Sequence, residues 1–214
     1  MPIWGEFRVS WRNIVLPVLG PIALVLVALT VRSCLWQGSD NATPNKELLP
    51  AYLNGLKSGE PGIVVASINL LGDLGDAEAI EPIRPSLKSE DPRIVGAALA
   101  ALGKLGDKSV TDTLLESLRR DDPAILAGAA TGLGALKVKQ AVEPLTPLVE
   151  NGSYSVRLAA IVALGTIGDP AAEAALAKLQ SNPFAGLSPT PSDLERADLE
   201  KALATALGQL GKPK

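Results

Sequence analysis

Histidine is absent from all 214 residues of the chain. Its absence removes the commonest general base and the commonest zinc ligand. The single cysteine, Cys34, allows no internal disulfide, so cysteine pairing says nothing about compartment. Aromatic residues are scarce: from residue 46 onward only Tyr52, Tyr154 and Phe184 occur, a thin lining for a planar ligand. Positive charge is also in short supply. From Lys46 onward, 17 basic residues face 21 acidic ones, and the whole chain carries a net charge of −3. A nucleic-acid surface is normally basic and clustered; this one is neither, which argues against DNA or RNA as a partner. Phosphate loops are missing as well. "GLGALK" from Gly132 lacks the last glycine of the dinucleotide fingerprint, and "GKPK" from Gly211 has Pro where a P-loop needs Ser or Thr. The sequence therefore nominates no catalytic, cofactor or metal site.

One stretch lacks charge altogether. Residues 13–31, "NIVLPVLGPIALVLVALTV", contain no Asp, Glu, Lys or Arg beyond the flanking Arg12 and Arg32. A helix of that length rises ~28 Å at ~1.5 Å per residue, close to the hydrocarbon thickness of a bilayer. Trp4, Phe7 and Trp11 precede it and Trp36 follows, as rings at two membrane interfaces would. Pro17 and Pro21, with Gly20 between them, predict a kink or a late helix start. The favoured division is an N-terminal tail over 1–12, a transmembrane helix over 13–36 and a polar linker, "QGSDNATPN", over 37–45. A cleaved signal peptide is the first alternative, but the apolar run exceeds the usual ~7–15-residue core and no clean small-x-small site follows. A lipoprotein signal ending at Cys34 is the second, and Arg32 violates its pattern. Arg8 and Arg12 lie before the span and Arg32 just after it. That slight bias places the N-terminus in the cytoplasm and the remainder on the periplasmic, extracytoplasmic side.

What the chain has in abundance is repetition. "LGDLGD" at Leu71, "LGKLGD" at Leu102, "LGALKV" at Leu133 and "LGTIGD" at Leu164 start 31 residues apart. A period in the range of ~20–50 residues signals a solenoid of helical hairpins. Glu60, Asp91, Asp122 and Ser153 stand where a side-chain oxygen can cap the first helix of each hairpin, Glu being the poorest of the set. Pro61, Pro92 and Pro123 follow, at the first helical position where the missing N–H costs nothing. The Ala/Val/Leu-rich helix comes next, apolar around most of its girth as in an element packed between neighbours. Gly72, Gly103, Gly134 and Gly165 form a column suited to close backbone approach. Gly75, Gly106 and Gly168 suit a left-handed helix end. Asp76, Asp107 and Asp169 then cap the second helix.

The second helices are amphipathic, with apolar positions such as Val110, Leu114, Leu115 and Leu118 on one face and charge on the other. Pro85 and Pro147 sit past the first turn of theirs and predict bends. Half-repeats close the array. Residues 47–58 match a second helix without its first, and "LGQLGK" starts at Leu207, 43 residues after Leu164 rather than 31. The excess falls around "SNPFAGLSPTPS"; "SDLE" at Ser192 is a capping box opening a long last helix with a charged outer face. The expected architecture is all-α: a right-handed α-solenoid of four full hairpins with a half-repeat at each end over 46–214, behind one N-terminal transmembrane helix.

The row "DPxxxxAALxALGxLGD" resembles the short HEAT-like repeats of phycobilin lyases and many bacterial scaffold proteins, over about residues 46–211. The resemblance implies a helical-repeat fold and leaves the function open. Such repeats often carry an arginine that pairs along the stack with the aspartate of the turn. Here only Arg157 occupies that column, with Val64, Val95 and Leu126 at the other places, so no unbroken ladder is expected.

The expected role is a non-catalytic scaffold or accessory subunit that binds other protein subunits of a membrane complex, or assists its assembly. A bilin-lyase-like chromophore-handling protein and a periplasmic peptide-binding module are the alternatives. Second helices are expected to line the concave side, where Glu81, Arg84, Asp112, Glu116, Arg119, Glu143 and Thr146 meet a partner. The carboxylate column Glu81, Asp112, Glu143 also fits a merely solvated face. Lys137, Val138 and Lys139 replace the Gly-Asp turn of the third repeat; drift and a contact site both fit, and Lys137 and Lys139 join the candidates. Phe184 in the Pro-rich insertion is a candidate anchor, or packs beneath the last helix.

Overall fold

The computed structural model describes residues 48–187 and 190–211, all within one unit spanning Pro44–Lys214. The expected tail (1–12), membrane span (13–36) with Trp4, Phe7, Trp11 and Trp36, and linker (37–45) lie outside the described residues. Among the described residues no strand occurs and no helix is long and apolar enough to cross a membrane.

First helices form where the repeat columns place them. They are α2 (Pro61–Leu74), α4 (Pro92–Lys104), α6 (Pro123–Ala135) and α8 (Tyr154–Ile167). Proline opens the first three, and Asp91 and Asp122 cap α4 and α6 by accepting backbone N–H bonds at 2.9 Å. Glu60 makes no side-chain cap, as expected of the longer acid. Ser153 makes none either; its hydroxyl lies 3.4 Å from that of Ser155 instead. The long helix α10 (Asp193–Leu210) begins with the capping box, Ser192 and Glu195 bonding each other's backbone.

Second helices are shorter than the periodicity suggests. They are α1 (Leu49–Gly55), α3 (Ile80–Ile83), α5 (Thr111–Ser117), α7 (Val142–Asn151) and α9 (Glu173–Gln180). The latter four are entered through a 3-10 turn, and Asp76, Asp107 and Asp169 cap those turns. At Pro85 the α-helix gives way to a 3-10 segment, Arg84–Lys88, because proline supplies no N–H to continue the α ladder. At Pro147 helix α7 continues to Asn151 with one ladder bond missing.

Packing follows chain order: α2 on α4, α4 on α6, α6 on α8, α8 on α10. Each second helix also packs on the first helix that follows it, as α5 on α6 and α7 on α8 do. Small residues permit the first row to close. A methyl group on Gly103 would run into the backbone of Gly132, 2.6 Å from its carbonyl oxygen, and one on Gly165 would stand 2.6 Å from the Cα of Ala206. Leu71, Leu102, Leu133 and Leu164 are completely buried, as are Ile83, Leu114, Leu145 and Leu176 on the second row. Each such side chain contributes about 1.5–3 kcal/mol of burial. The two columns form a continuous core that no hairpin could enclose alone.

Candidate interaction surface on the second helices

The turns within the hairpins, between first and second helices, aim the candidate residues. Gly75, Gly106 and Gly168 take left-handed φ angles of 74°, 80° and 68°. In the third repeat Lys137 holds the same place at φ 54°, the one non-glycine residue with positive φ among those described. A side chain there costs about 1–2 kcal/mol relative to glycine. Val138, following it, offers no cap, so the third turn lacks both devices of the other three. Lys137 and Lys139 are exposed and make no ion pair.

Along the second row, Glu81, Asp112, Glu116, Arg119 and Glu143 are exposed, and Arg84 and Thr146 are half-buried. Arg84 is already engaged within the chain. Its guanidinium is ion-paired with Glu81 Oε1 at 3.2 Å and with the buried carboxylate of Asp107 at 3.0 Å, and it donates to Ser109 Oγ at 3.0 Å. It thus braces the first repeat against the turn of the second. Lys104 does the same on the first row, reaching Asp73 at 2.9 Å, and Lys178 reaches Glu150 at 2.8 Å. By contrast Asp112, Glu116, Arg119 and Glu143 form no ion pair or side-chain hydrogen bond.

Three candidates meet at one place. Lys139, Glu143 and Thr146 line a shallow groove of about 400 Å³ with Asp169 and Ala171, where the second helices of the third and fourth repeats face each other. The Thr146 hydroxyl donates to the Val142 carbonyl at 2.8 Å, and one oxygen of Asp169 caps the N–H of Ala171 at 3.0 Å. A second groove, about 260 Å³, lies between α8 and α10 beside Val162, which is half-exposed. Among the described residues no group of three or more Cys, Asp or Glu is placed to hold a metal ion.

Phe184 sits between the core and the last helix. It is half-buried against the core, with the guanidinium of Arg196 5.1 Å from its ring centre. The loop that carries it is fastened by Arg157, a residue the repeat columns marked only as an exception. Arg157 is completely buried and donates to the carbonyls of Pro183 (2.8 Å), Glu150 (2.6 Å) and Ala185 (2.7 Å). Burial pushes its guanidinium below the ordinary arginine value, partly offset by the nearby Glu150 carboxylate. The sequence signal was a lone charge in a column of Val64, Val95 and Leu126, upstream of an insertion whose carbonyls no helix satisfies.

Comparison with known proteins agrees with this architecture. A chain in the complex of CpcE and CpcF of phycocyanin lyase from Nostoc sp. PCC7120 is 22% identical, with 83% of this chain and 68% of that one covered and a TM-score of 0.53. A designed armadillo repeat protein is 17% identical over 78% of this chain and 85% of its own, with a TM-score of 0.48. No curated protein matches. The family model for HEAT repeats matches residues 49–130 and 111–185, the same hairpins whose rows stack here. Those spans take in more than half of the sequence, and the chain belongs to the HEAT repeats family.

Proposed function

We propose that the protein is a membrane-anchored HEAT-repeat scaffold or accessory subunit. It mediates protein–protein interaction within, or during assembly of, a membrane protein complex, and takes no part in catalysis itself. The observation that carries this reading is the second row: a line of exposed charges, Asp112, Glu116, Arg119 and Glu143, with no ion-pair or side-chain hydrogen-bond partner among the described residues. A row of helices held rigid from behind presents such groups at fixed spacing, which suits recognition of another protein. The uncharged stretch 13–31 supports the anchor and the basic-residue bias supports an extracytoplasmic solenoid.

Extraction in mild detergent, followed by native separation and mass spectrometry, tests the reading. The expected outcome is co-purification with membrane subunits in fixed stoichiometry, weakened by charge reversal at Asp112 and Glu116. A protein that migrates alone and leaves the membrane in carbonate would sink it. A bilin-handling role is the second reading, supported by the fold shared with a chain of the phycocyanin lyase complex. Tyr52, Tyr154 and Phe184, the aromatic residues of the solenoid, are half-buried and line neither groove. Bilin absorbance after co-expression would favour that role over the scaffold.

A further inference from the structure

The first and third inter-repeat junctions are built on the same template. "EPIRP", Glu81 to Pro85, and "EPLTP", Glu143 to Pro147, occupy equivalent places two repeats apart. Facing them are Asp107 with Ser109 at the first junction and Asp169 with Ala171 at the third, again equivalent places. At the first junction these residues hold a guanidinium. Arg84 lies 3.2 Å from Glu81, 3.0 Å from Asp107 and 3.0 Å from Ser109. At the third, both carboxylates remain, but Thr146 stands in place of the arginine. The result is the groove lined by Glu143, Thr146 and Asp169. The middle junction shows the other way such a place can change. There Leu115 stands in place of the arginine and Val138 in place of the aspartate, and both pack on the core. Arginine and acid were exchanged together for two apolar residues. At the third junction Thr146 replaces the arginine and Ala171 the serine, while both carboxylates remain.

We propose that the groove between the third and fourth repeats is a guanidinium slot that receives an arginine side chain of a partner protein, seated between Glu143 and Asp169 as Arg84 is seated between Glu81 and Asp107. The proposal rests on the scaffold reading and names the chemistry of its partner. A guanidinium is the fit because the template holds one: its plane spreads Nε to 3.2 Å from Glu81 and a terminal nitrogen to 3.0 Å from Asp107, ion-pair contacts on two sides that the compact ammonium of lysine spans less well. Lys139 lines the groove without ion-pairing with either acid, so two carboxylates and one ammonium leave it net negative. It acts as a local repellent that tempers affinity for a cation.

The test uses isotope-labelled full-length protein in detergent micelles, titrated with N-acetyl-arginine methylamide and followed by backbone amide NMR. Saturable shifts should concentrate at residues 142–146 and 169–171, with the lysine analogue binding more weakly. Thr146→Arg, which supplies the guanidinium from within, and Asp169→Asn, which keeps the cap, should each weaken binding about tenfold or more, while Lys139→Ala should tighten it about two- to fivefold. Shifts no larger than those at Asp112 or Glu116, or binding unchanged by Thr146→Arg, would overturn the slot. The scaffold is read separately by co-purification. Partner subunits retained in full by Thr146→Arg, with no amide binding, would end the slot and leave the scaffold standing. Amide binding at the slot with no co-purifying protein would do the reverse.

Discussion

The two rows of helices obey different rules. In the first row, α2, α4, α6 and α8 keep glycine and alanine at their contacts and proceed from neighbour to neighbour with the backbones nearly touching. In the second row the helices are shorter, most are entered through 3-10 turns, proline interrupts the pattern at Pro85 and Pro147, and a groove opens between the third and fourth repeats. The first row carries the cohesion of the molecule. The second keeps one buried residue per turn, such as Leu114 or Leu145, and leaves its outer positions free to differ from repeat to repeat. Cohesion and variability are thereby assigned to different helices of the same hairpin.

Substitutions in the two rows can break or sharpen that contrast. The largest effect is expected from Gly103→Val, which drives a branched side chain into the Gly132 backbone. It should cost about 3 kcal/mol or more in denaturant unfolding monitored by helical circular dichroism. On the second row, Glu116→Ala should shift the same midpoint by no more than about 0.5 kcal/mol. Comparable losses at both positions would erase the distinction between rows. Arg157→Ala comes next. Three carbonyls lose their donor at a buried site, and about 2–4 kcal/mol of destabilisation is expected. Limited proteolysis should then cut at residues 182–187, and Arg157→Lys should not restore protection, since one ammonium cannot span all three acceptors.

A gain is expected from Lys137→Gly. It relieves the left-handed side chain and should raise stability by about 1 kcal/mol. Partner co-purification that survives this change would show that the lysine is a strained turn residue and nothing more. The smallest effect concerns acid. Hydrogen bonds from the Ser192 hydroxyl and backbone hold the Glu195 carboxyl below its usual range, and the group is fully exposed. A lowered folded-state pKa contributes stability that is present above the unfolded value of about 4.5 and is lost as pH falls through the folded one. Amide protection factors at the start of α10 should therefore fall below about pH 4, with the start of α8, which follows the non-titrating Ser153, unaffected over the same range.

Much of the first row was legible in the residues because each column has one physical reason behind it. Proline marks the first turn, aspartate the cap, glycine the contact. Ser153 shows the reach of that logic: the residue type was right for a cap, but its hydroxyl found Ser155 instead. The second row was harder. Its apolar spacing promised longer helices than form, since a 3-10 entry leaves the spacing of buried residues almost unchanged. Arg157 was visible as an oddity, but its acceptors are backbone carbonyls of a loop, and those carry no mark in the sequence. The slot was hidden for a different reason. Glu143 and Thr146 read singly are an ordinary acid and an ordinary polar residue. Their meaning appears only when a column on one hairpin is paired with a column on the next, and only folding says which columns meet.

One detail of the last repeat has a wider consequence. Ala206 stands against Gly165 as Ala163 stands against Gly134, although 43 residues of chain rather than 31 separate it from its predecessor. Spatial spacing is thus uncoupled from contour length at this edge. The connecting bow can be lengthened, shortened or decorated beyond the two carbonyls that Arg157 holds without disturbing the Gly165–Ala206 contact, which makes that edge a natural place for new specificities to be grafted onto an old framework.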